Sequence, residues 1–393
     1  MNQMARRIAY IQYANPAAYP PLEHSSRILA ERGWDVQFLG GGASGASDIF
    51  TFPPHVRIRV KRWRYTTPGW KQKAHYMAFS FWCVWQIWRT SSEWIYASDP
   101  LSCPAAWLAS FLPRRKVIYH EHDSPCTTDT TAFMRGVLRT RQLLSRRAAA
   151  VLLPNAERAR VYAEAVGPCG PILTVWNCPR RGEVTSGVLV MSVRAIVFYH
   201  GSLNALRLPT TVLKALDLVK QECVLQFAGY TTEGHHDFVR MFLNEAARLR
   251  LGARVQYMGS LARAELLKVC AKADLGLAFV PSESRDLNMR AMAGASNKPF
   301  DYLACGLGLL VTDLPDWQAM FVDTGAARAC TPESPESIAH AIDWWMENGP
   351  RTEAARERGR QRIRTEWNYE TQFEPVLKIL EPESNYVTHR STF

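Results

Sequence analysis

The chain has no Cys-x-x-Cys pair, and its nine cysteines are scattered singly over 393 residues. An odd, dispersed set argues against a disulfide framework and fits free, buried thiols in a reducing compartment. There is no internal repeat at solenoid periods, no low-complexity tract and no Asp-x-Asp metal motif. Long hydrophobic runs are missing too. The most apolar stretch, Met77–Trp88, covers about 18 Å as a helix and cannot span a hydrocarbon core of about 30 Å. Met1–Tyr13 has no apolar leader region and no small-residue cleavage site, and reads instead as Arg6-Arg7 leading into a buried strand. The expectation is a cytoplasmic protein.

What is present is ordinary globular material: 47% hydrophobic and 21% charged residues. The length exceeds what one core usually supports, so two domains are expected. Formal net charge is +11, and its placement is uneven. Residues 1–180 hold 23 Lys/Arg against 11 Asp/Glu, and the rest hold 24 against 25. A basic half favours polyanions, whether nucleic acid, anionic lipid or phosphorylated glycan.

Short runs rich in Val, Ile, Tyr and Phe alternate with segments of helical period. The first series of predicted strands is Arg7–Tyr13, Trp34–Leu39, Val56–Lys61, Trp94–Ala97, Lys116–His120, Ala149–Leu153 and Ile172–Trp176. The second is Ala195–His200, Val224–Ala228, Arg254–Met258, Leu275–Val280 and Leu309–Thr312. Apolar strands separated by helices suit parallel sheets covered on both faces, and two such series give two doubly wound α/β units. The break falls near Pro179–Ser192, where Arg, Gly, Thr and Ser replace apolar residues. Ser334-Pro335 opens a helix that Asn348-Gly349-Pro350 stops. Arg351–Thr365, charged nearly all round, reads as a surface helix, and the residues from Pro382 as a frayed tail.

Six segments carry candidate chemistry. Gly40–Gly45 satisfies Gly-x-Gly-x-x-Gly, but an extended stretch follows rather than a helix, so a flexible loop is the better reading. His120 and His122 lie at and just past the carboxyl end of a strand, where open α/β sheets place ligands, and residues two apart point the same way. No third metal ligand is visible beside them. Asn288–Gly308 is the densest constellation. Its small residues Ala293, Gly294, Ala295 and Ser296 precede a helix whose first turn carries Lys298 and, one turn on, Asp301, arranged to meet an anion and ribose hydroxyls. Gly201 and Ser202 follow a strand, with Arg207 as a second cation. Met258 and Gly259, at the end of another strand, join this ligand-binding set. Finally, Trp63–Trp107 holds seven of thirteen tryptophans, with Phe81, Trp85 and Trp88 at helical spacing beside Lys71, Lys73 and Arg89. An aromatic core helix and a membrane-interface face fit that stretch equally well. RNA recognition needs aromatics on an exposed sheet, and none is indicated, so nucleic acid is not an expected partner.

Taken in order, several motifs resemble the family-four retaining glycosyltransferases (glycosyl transferases group 1), across nearly the whole chain. They are Leu29-Ala30-Glu31-Arg32-Gly33-Trp34-Asp35-Val36, Val117–Asp123, Val175-Trp176-Asn177-Cys178-Pro179, Asn297-Lys298-Pro299-Phe300-Asp301-Tyr302-Leu303-Ala304-Cys305-Gly306, and Glu366-Trp367-Asn368-Tyr369-Glu370. The resemblance implies a GT-B architecture: two Rossmann-like, doubly wound parallel-sheet domains facing a central cleft. Residues 1–182 would bind the acceptor and 193–366 the nucleotide sugar. Residues 367–393 would form a helix packing back on the first domain, and a tail.

The same resemblance places Asp301 at the ribose carboxylate, Ala293–Ser296 at the diphosphate and His122 beside the transferred sugar. The chain departs from the family pattern in three ways. Ala293 stands where a Glu is usual, the ribose carboxylate is Asp rather than Glu, and the strongly basic pair after the glycine is reduced to Ser202 and Arg207. The expected activity is retaining transfer of a hexosyl group from a nucleoside-diphosphate sugar to a glycan or lipid-linked acceptor in cell-envelope polysaccharide synthesis. No cofactor or metal is expected, because helix N-termini, Arg207 and Lys298 can neutralise the leaving diphosphate. The location would be the inner membrane face, with peripheral contact to anionic lipid. The rival readings are a sugar-nucleotide epimerase on the same fold and a catalytically silent, glycan- or partner-binding relative.

Overall fold

The computed structural model describes residues 5–42, 48, 50–67, 69–125, 131–167, 170–185, 194–231 and 235–382. Residues 43–47 of the glycine-rich segment, the Ser-Gly part of the linker and the tail beyond Pro382 lie outside the described residues.

Seven strands form the first sheet: β1 (Arg7–Gln12), β2 (Asp35–Gly41), β3 (Ile58–Trp63), β4 (Trp94–Ser98), β5 (Lys116–His120), β6 (Ala150–Leu153) and β7 (Ile172–Thr174). Their spatial order is β3-β2-β1-β4-β5-β6-β7. The second sheet holds β8 (Ala195–Leu203), β9 (Cys223–Thr231), β10 (Val255–Tyr257), β11 (Leu275–Ala278), β12 (Gly308–Thr312) and β13 (Arg328–Cys330), ordered β10-β9-β8-β11-β12-β13. Every pairing is parallel. In both sheets the strand order reverses beside the first strand, the point where doubly wound sheets open a crevice for ligands.

The crossovers of the first sheet contain α1 (Pro20–Glu31), α2 (Trp70–Thr90), α3 (Cys103–Ala109), α4 (Ala132–Ser145) and α5 (Ala156–Val166). The second part contributes α6 (Thr211–Leu218), α7 (Phe238–Arg248), α8 (Arg263–Cys270), α9 (Leu287–Arg290), α10 (Asn297–Ala304), α11 (Pro315–Trp317), α12 (Pro335–Glu347), α13 (Gly349–Thr365) and α14 (Tyr369–Leu380). The near-continuous apolar strands are explained by burial on both faces. Ile8 and Tyr10 of β1 pack into one cluster while Ala9 and Ile11 pack into another. Phe198 and its neighbours Val197 and Tyr199 divide in the same way. The seven cysteines among the described residues are all buried and unpaired.

Three expectations need correction. Gly40 and Gly41 are not loop residues: they complete β2, paired with Arg62 and Trp63, and a side chain at Gly40 would strike Pro16. β13 was not anticipated, because three residues, Arg-Ala-Cys, give too short an apolar run to stand out. The third concerns α13, which is not a free surface helix. It packs against α10, where Gly359 lets Leu303 approach closely, while Arg356 donates to the Asp274 carbonyl (3.0 Å) and Arg360 lies against Gly306. Its long basic side chains cover apolar surface with their stems, which a charge count does not reveal. The last helix, α14, lies against α1, and Glu381 just beyond it accepts hydrogen bonds from Arg32 (2.6 Å) and the Trp34 indole (2.7 Å).

Candidate functional site

A cavity of about 1060 Å³ lies between the carboxyl ends of the two sheets. Its size matches that of clefts that enclose a large ligand. The first domain contributes Tyr19, His24, Arg27, His122, Arg158 and Asn177; the second contributes Gly201, Ser202, Arg207, Arg263, Ser296 and Lys298.

On the first domain, β5 ends in His120 and the chain turns at His122. The two rings lie 3.9 Å apart between centroids, as the two-residue spacing predicts, but only His122 lines the cavity. His120 is buried behind it, its Nδ1 2.6 Å from the Tyr96 hydroxyl. Nε2 of His122 is 3.1 Å from the Ser98 hydroxyl, and its backbone N–H donates to Asp99 at 2.9 Å. Burial pushes the imidazole of His122 down to about 4, helped by Arg158 and opposed by Asp123, so the ring is neutral near pH 7. Asp99 holds a left-handed φ of 63°, a strained position for any residue but glycine. Burial pushes its carboxyl up to about 7. Among the described residues no group of three or more His, Cys, Asp or Glu side chains is placed to hold a metal ion.

On the second domain, Gly201 (φ 113°) and Gly229 (φ 149°) pair across β8 and β9. A Cβ on Gly229 would fall on the Gly201 carbonyl, and one on Gly201 would strike the Lys298 side chain. Two glycines therefore let Lys298 lie flat against the end of β8, where its ammonium sits 5.6 Å over the Tyr199 ring. Lys298 is buried. Desolvation pulls its ammonium well below the ordinary lysine range, and Arg207 adds to this, while Asp301 opposes it. Neither Lys298 nor Arg207 has an ion-pair partner among the described residues.

The small-residue loop differs from expectation. Ala295 and Ser296 line the cavity, but Ala293 and Gly294 do not. The Ala293 N–H donates to Asp316 (3.2 Å), and those of Ala295 and Ser296 donate to the Met292 carbonyl (3.0 and 3.1 Å). Most of this loop's donors are thus already used within the chain, leaving the first turn of α10 to meet an anion. Gly294 serves packing instead, with the Trp176 ring and the Pro154 carbonyl against its Cα. Met258 and Gly259 also lie outside the cavity wall; Gly259 accepts from Gly229 (2.9 Å), and the wall passes to Ser260 and beyond.

Asp301 is fully buried and is not part of the cavity wall. Arg263 covers it, donating to both carboxylate oxygens (2.9 and 3.3 Å), and Asn297 adds a third hydrogen bond (3.1 Å). Burial pushes the carboxyl up, and the Arg263 guanidinium, which cannot lose its proton, opposes that shift. Arg263 also donates to both oxygens of Glu183 in the linker (2.6 and 2.9 Å). Burial opposes the charge on Glu183, yet Arg263 and His24 together hold its carboxyl well below the ordinary range. Arg263 and Glu183 escaped the sequence reading because each is a single charged residue at a helix start or linker, with no spacing to mark it.

A second group was also missed. Arg158, 1% exposed, donates to the carbonyls of His122 (2.7 Å), Ala291 (3.1 Å) and Asn288 (3.1 Å). Asn155 reaches the carbonyls of Ala291 and Ala293, each at 2.9 Å, and Asn177 reaches that of Ala295 at 2.7 Å. Segment 288–296 of the second domain is thus held to the first by side chains whose partners only the fold brings near.

Residues 219–378 match a family model described as "Glycosyl transferase-like", in agreement with the resemblance read from the motifs. The fold is that of HepE from Anabaena, solved with UDP and glucose: TM-score 0.71, 16% identity, 96% of this chain and 99% of that one covered. Sucrose-phosphate synthase from Thermosynechococcus elongatus superposes equally well, with TM-score 0.71, 14% identity and coverage of 96% and 98%. WaaG, a glycosyltransferase involved in lipopolysaccharide biosynthesis, gives a TM-score of 0.61 at 12% identity, covering 95% of this chain and all of that one. No curated protein sequence matches the chain. The architecture is therefore GT-B.

Proposed function

We propose that this chain is a retaining, metal-independent glycosyltransferase that moves a hexosyl group from a nucleoside-diphosphate sugar to a glycan or lipid-linked acceptor of the cell envelope. The observation that carries the reading is the pair Arg207 and Lys298, two cations without carboxylate partners in the wall of a cavity. A buried lysine beside an arginine is short of negative charge, and a diphosphate supplies it. The UDP and UDP-glucose bound by HepE support the same choice of ligand.

In the reaction the acceptor hydroxyl oxygen bonds to the anomeric carbon on the face the leaving group departs from. The bond from that carbon to the diphosphate oxygen breaks, and the hydroxyl proton passes to that phosphate. The products are a glycoside of unchanged anomeric configuration and a nucleoside diphosphate. Arg207 and Lys298 stabilise the charge growing on the diphosphate. His122, neutral and held through Ser98 and Asp99, orients the sugar without adding a positive charge beside a carbon that is becoming positive.

A second reading is favoured by one observation. Asp301 lies beneath Arg263 and the loop donors are bonded internally, so neither the ribose carboxylate nor the loop amides face the cavity freely. A catalytically silent, partner-binding relative would keep them so. The test is incubation with UDP-, GDP- and ADP-hexoses and an envelope glycan extract, followed by NMR of the product linkage. Acceptor-dependent release of nucleoside diphosphate with retained configuration is expected. Formation of an epimerised sugar without acceptor would favour the epimerase, and no reaction at all would favour the silent relative.

A further inference from the structure

Helix α2 is apolar on two faces. Tyr76, Phe79, Cys83 and Ile87 pack inward, among the core of the first domain. On the other side Trp70 is 77% exposed, Met77 51%, Phe81 60%, Trp85 47% and Trp88 61%. With Ala74 and Ala78, also exposed, these residues fall on one continuous stripe at helical spacing. Nothing in the described chain covers that stripe. Isolated exposed apolar residues are common on any protein, but a row of three tryptophans, a phenylalanine and a methionine along one helix marks a binding surface.

The charges around the stripe identify the partner. The 21 residues of α2 include no Asp or Glu. Exposed Lys71, Lys73 and Arg89 border the stripe on the helix itself, with exposed Arg59, Arg62 and Arg64 on or next to the adjoining edge strand β3. Arg62 is paired with Asp48, whereas Arg59, Arg64, Lys73 and Arg89 form no ion pair among the described residues. Lys71 and Arg89 lie over the rings of Trp70 and Trp85, at 5.8 and 5.4 Å. Tryptophan edged by cations is the composition that rests at a headgroup boundary, with rings among the acyl chains and ammonium or guanidinium groups on phosphates. The shape agrees. The stripe is the outer face of a single helix, which a deformable bilayer accommodates and a folded partner could meet only with a matching trough. No helix among the described residues is long and apolar enough to cross a membrane, so this one would lie in the interface plane.

We infer that the α2 face, with Trp70, Phe81, Trp85 and Trp88 at its centre, docks the protein on an anionic lipid bilayer. The topology makes this placement useful. A helix that follows a strand in a parallel sheet starts at the carboxyl edge, and here that edge borders the cavity. His75 in the second turn hydrogen-bonds to Tyr13 (3.0 Å), immediately before the cavity-lining Ala14 and Asn15. The docked end of α2 thus lies beside the cleft mouth, within reach of an acceptor whose lipid stays in the membrane. This deepens the lipid-linked acceptor of the proposed function, but bilayer binding itself does not require that transfer occurs.

The experiment is flotation of the full chain with vesicles of phosphatidylcholine alone and of phosphatidylcholine with phosphatidylglycerol, at low and high salt. Three proteins are compared: wild type, Phe81→Ser/Trp85→Ser and Lys71→Glu/Lys73→Glu/Arg89→Glu. All substituted side chains are exposed, so folding is expected to be preserved, and nucleotide-induced thermal shifts measured on the same samples check the cleft independently. Wild type is expected to float with the anionic vesicles only, and less at high salt. Each variant is expected to bind them at least about tenfold more weakly. Absence of wild-type binding, or variants that bind as wild type does, would overturn the proposal. So would size-exclusion profiles in which wild type is a dimer and the serine variant a monomer, since a second copy would then be what covers the face.

Discussion

The two sheets share one strand order, yet the domains built on them meet their surroundings differently. The first domain bears the whole excess of positive charge, an exposed aromatic helix and, at the cavity, a neutral imidazole whose ring meets the Ser98 hydroxyl. The second domain is close to neutral overall but brings Arg207, Lys298 and Arg263 to one cavity wall, with Asp301 buried beneath Arg263. The two parts hold nearly equal numbers of Lys and Arg, but the second balances its own with acids and the first does not. Fold alone therefore does not distribute roles here. Where each sheet puts its charge does: the second suits a small polyanion in the cleft, the first an acceptor and an extended anionic surface.

That comparison can be broken by acid. His120 and His122, side by side in the first domain, and His200 in the second are all pulled below the ordinary histidine range by burial. A histidine depressed on folding leaves the unfolded chain holding more protons, so its stabilising contribution is complete above pH 6.5 and is lost as pH falls. For His122 the window runs from 6.5 to about 4 and amounts to on the order of 3 kcal/mol. Asp99 works the other way, since a carboxyl raised to about 7 favours the fold as pH falls through that value. The wild type therefore balances the two. In chemical denaturation, His122→Asn is expected to gain on wild type by that amount between pH 7 and pH 4. A constant difference across that range would show that His122 is not buried neutral.

Division of labour between the domains is sharpened by kinetics. His122→Ala is expected to lower turnover at least about a hundredfold while leaving nucleoside-diphosphate affinity near that of wild type. Near-normal turnover would remove His122 from the mechanism. A smaller effect is expected from Arg207→Ala, about tenfold in nucleoside-diphosphate affinity by calorimetry. Equal affinity in both proteins would deprive the second domain of its assigned anion site.

Much of this was legible in the sequence. Twelve of the thirteen strands were anticipated, because strands buried on both faces are continuous apolar runs; the exception, β13, is three residues long. His122, Arg207 and Lys298 were found at the cavity, since carboxyl ends of parallel strands and a small-residue helix start are local signals. What escaped is what only the folded cleft creates. Ala293 and Gly294 belong to a loop held to the first domain by Asn155, Arg158 and Asn177, residues more than a hundred positions away. Asp301 was recognised by its motif, but its cover by Arg263 and the bridge to Glu183 were not, because ion pairs between distant single charges leave no periodicity. The aromatic stretch was undecidable until burial separated Phe79 from Phe81.

The central claim is that the second domain's cavity wall binds a nucleoside diphosphate. Its most direct test is the thermal midpoint of wild type and of Arg207→Ala/Lys298→Met with UDP, GDP, ADP and CMP. The account predicts that one diphosphate raises the wild-type midpoint by about a few degrees and that the rise is lost in the variant. No rise with any of the four would contradict it, and would leave the cleft a silent one.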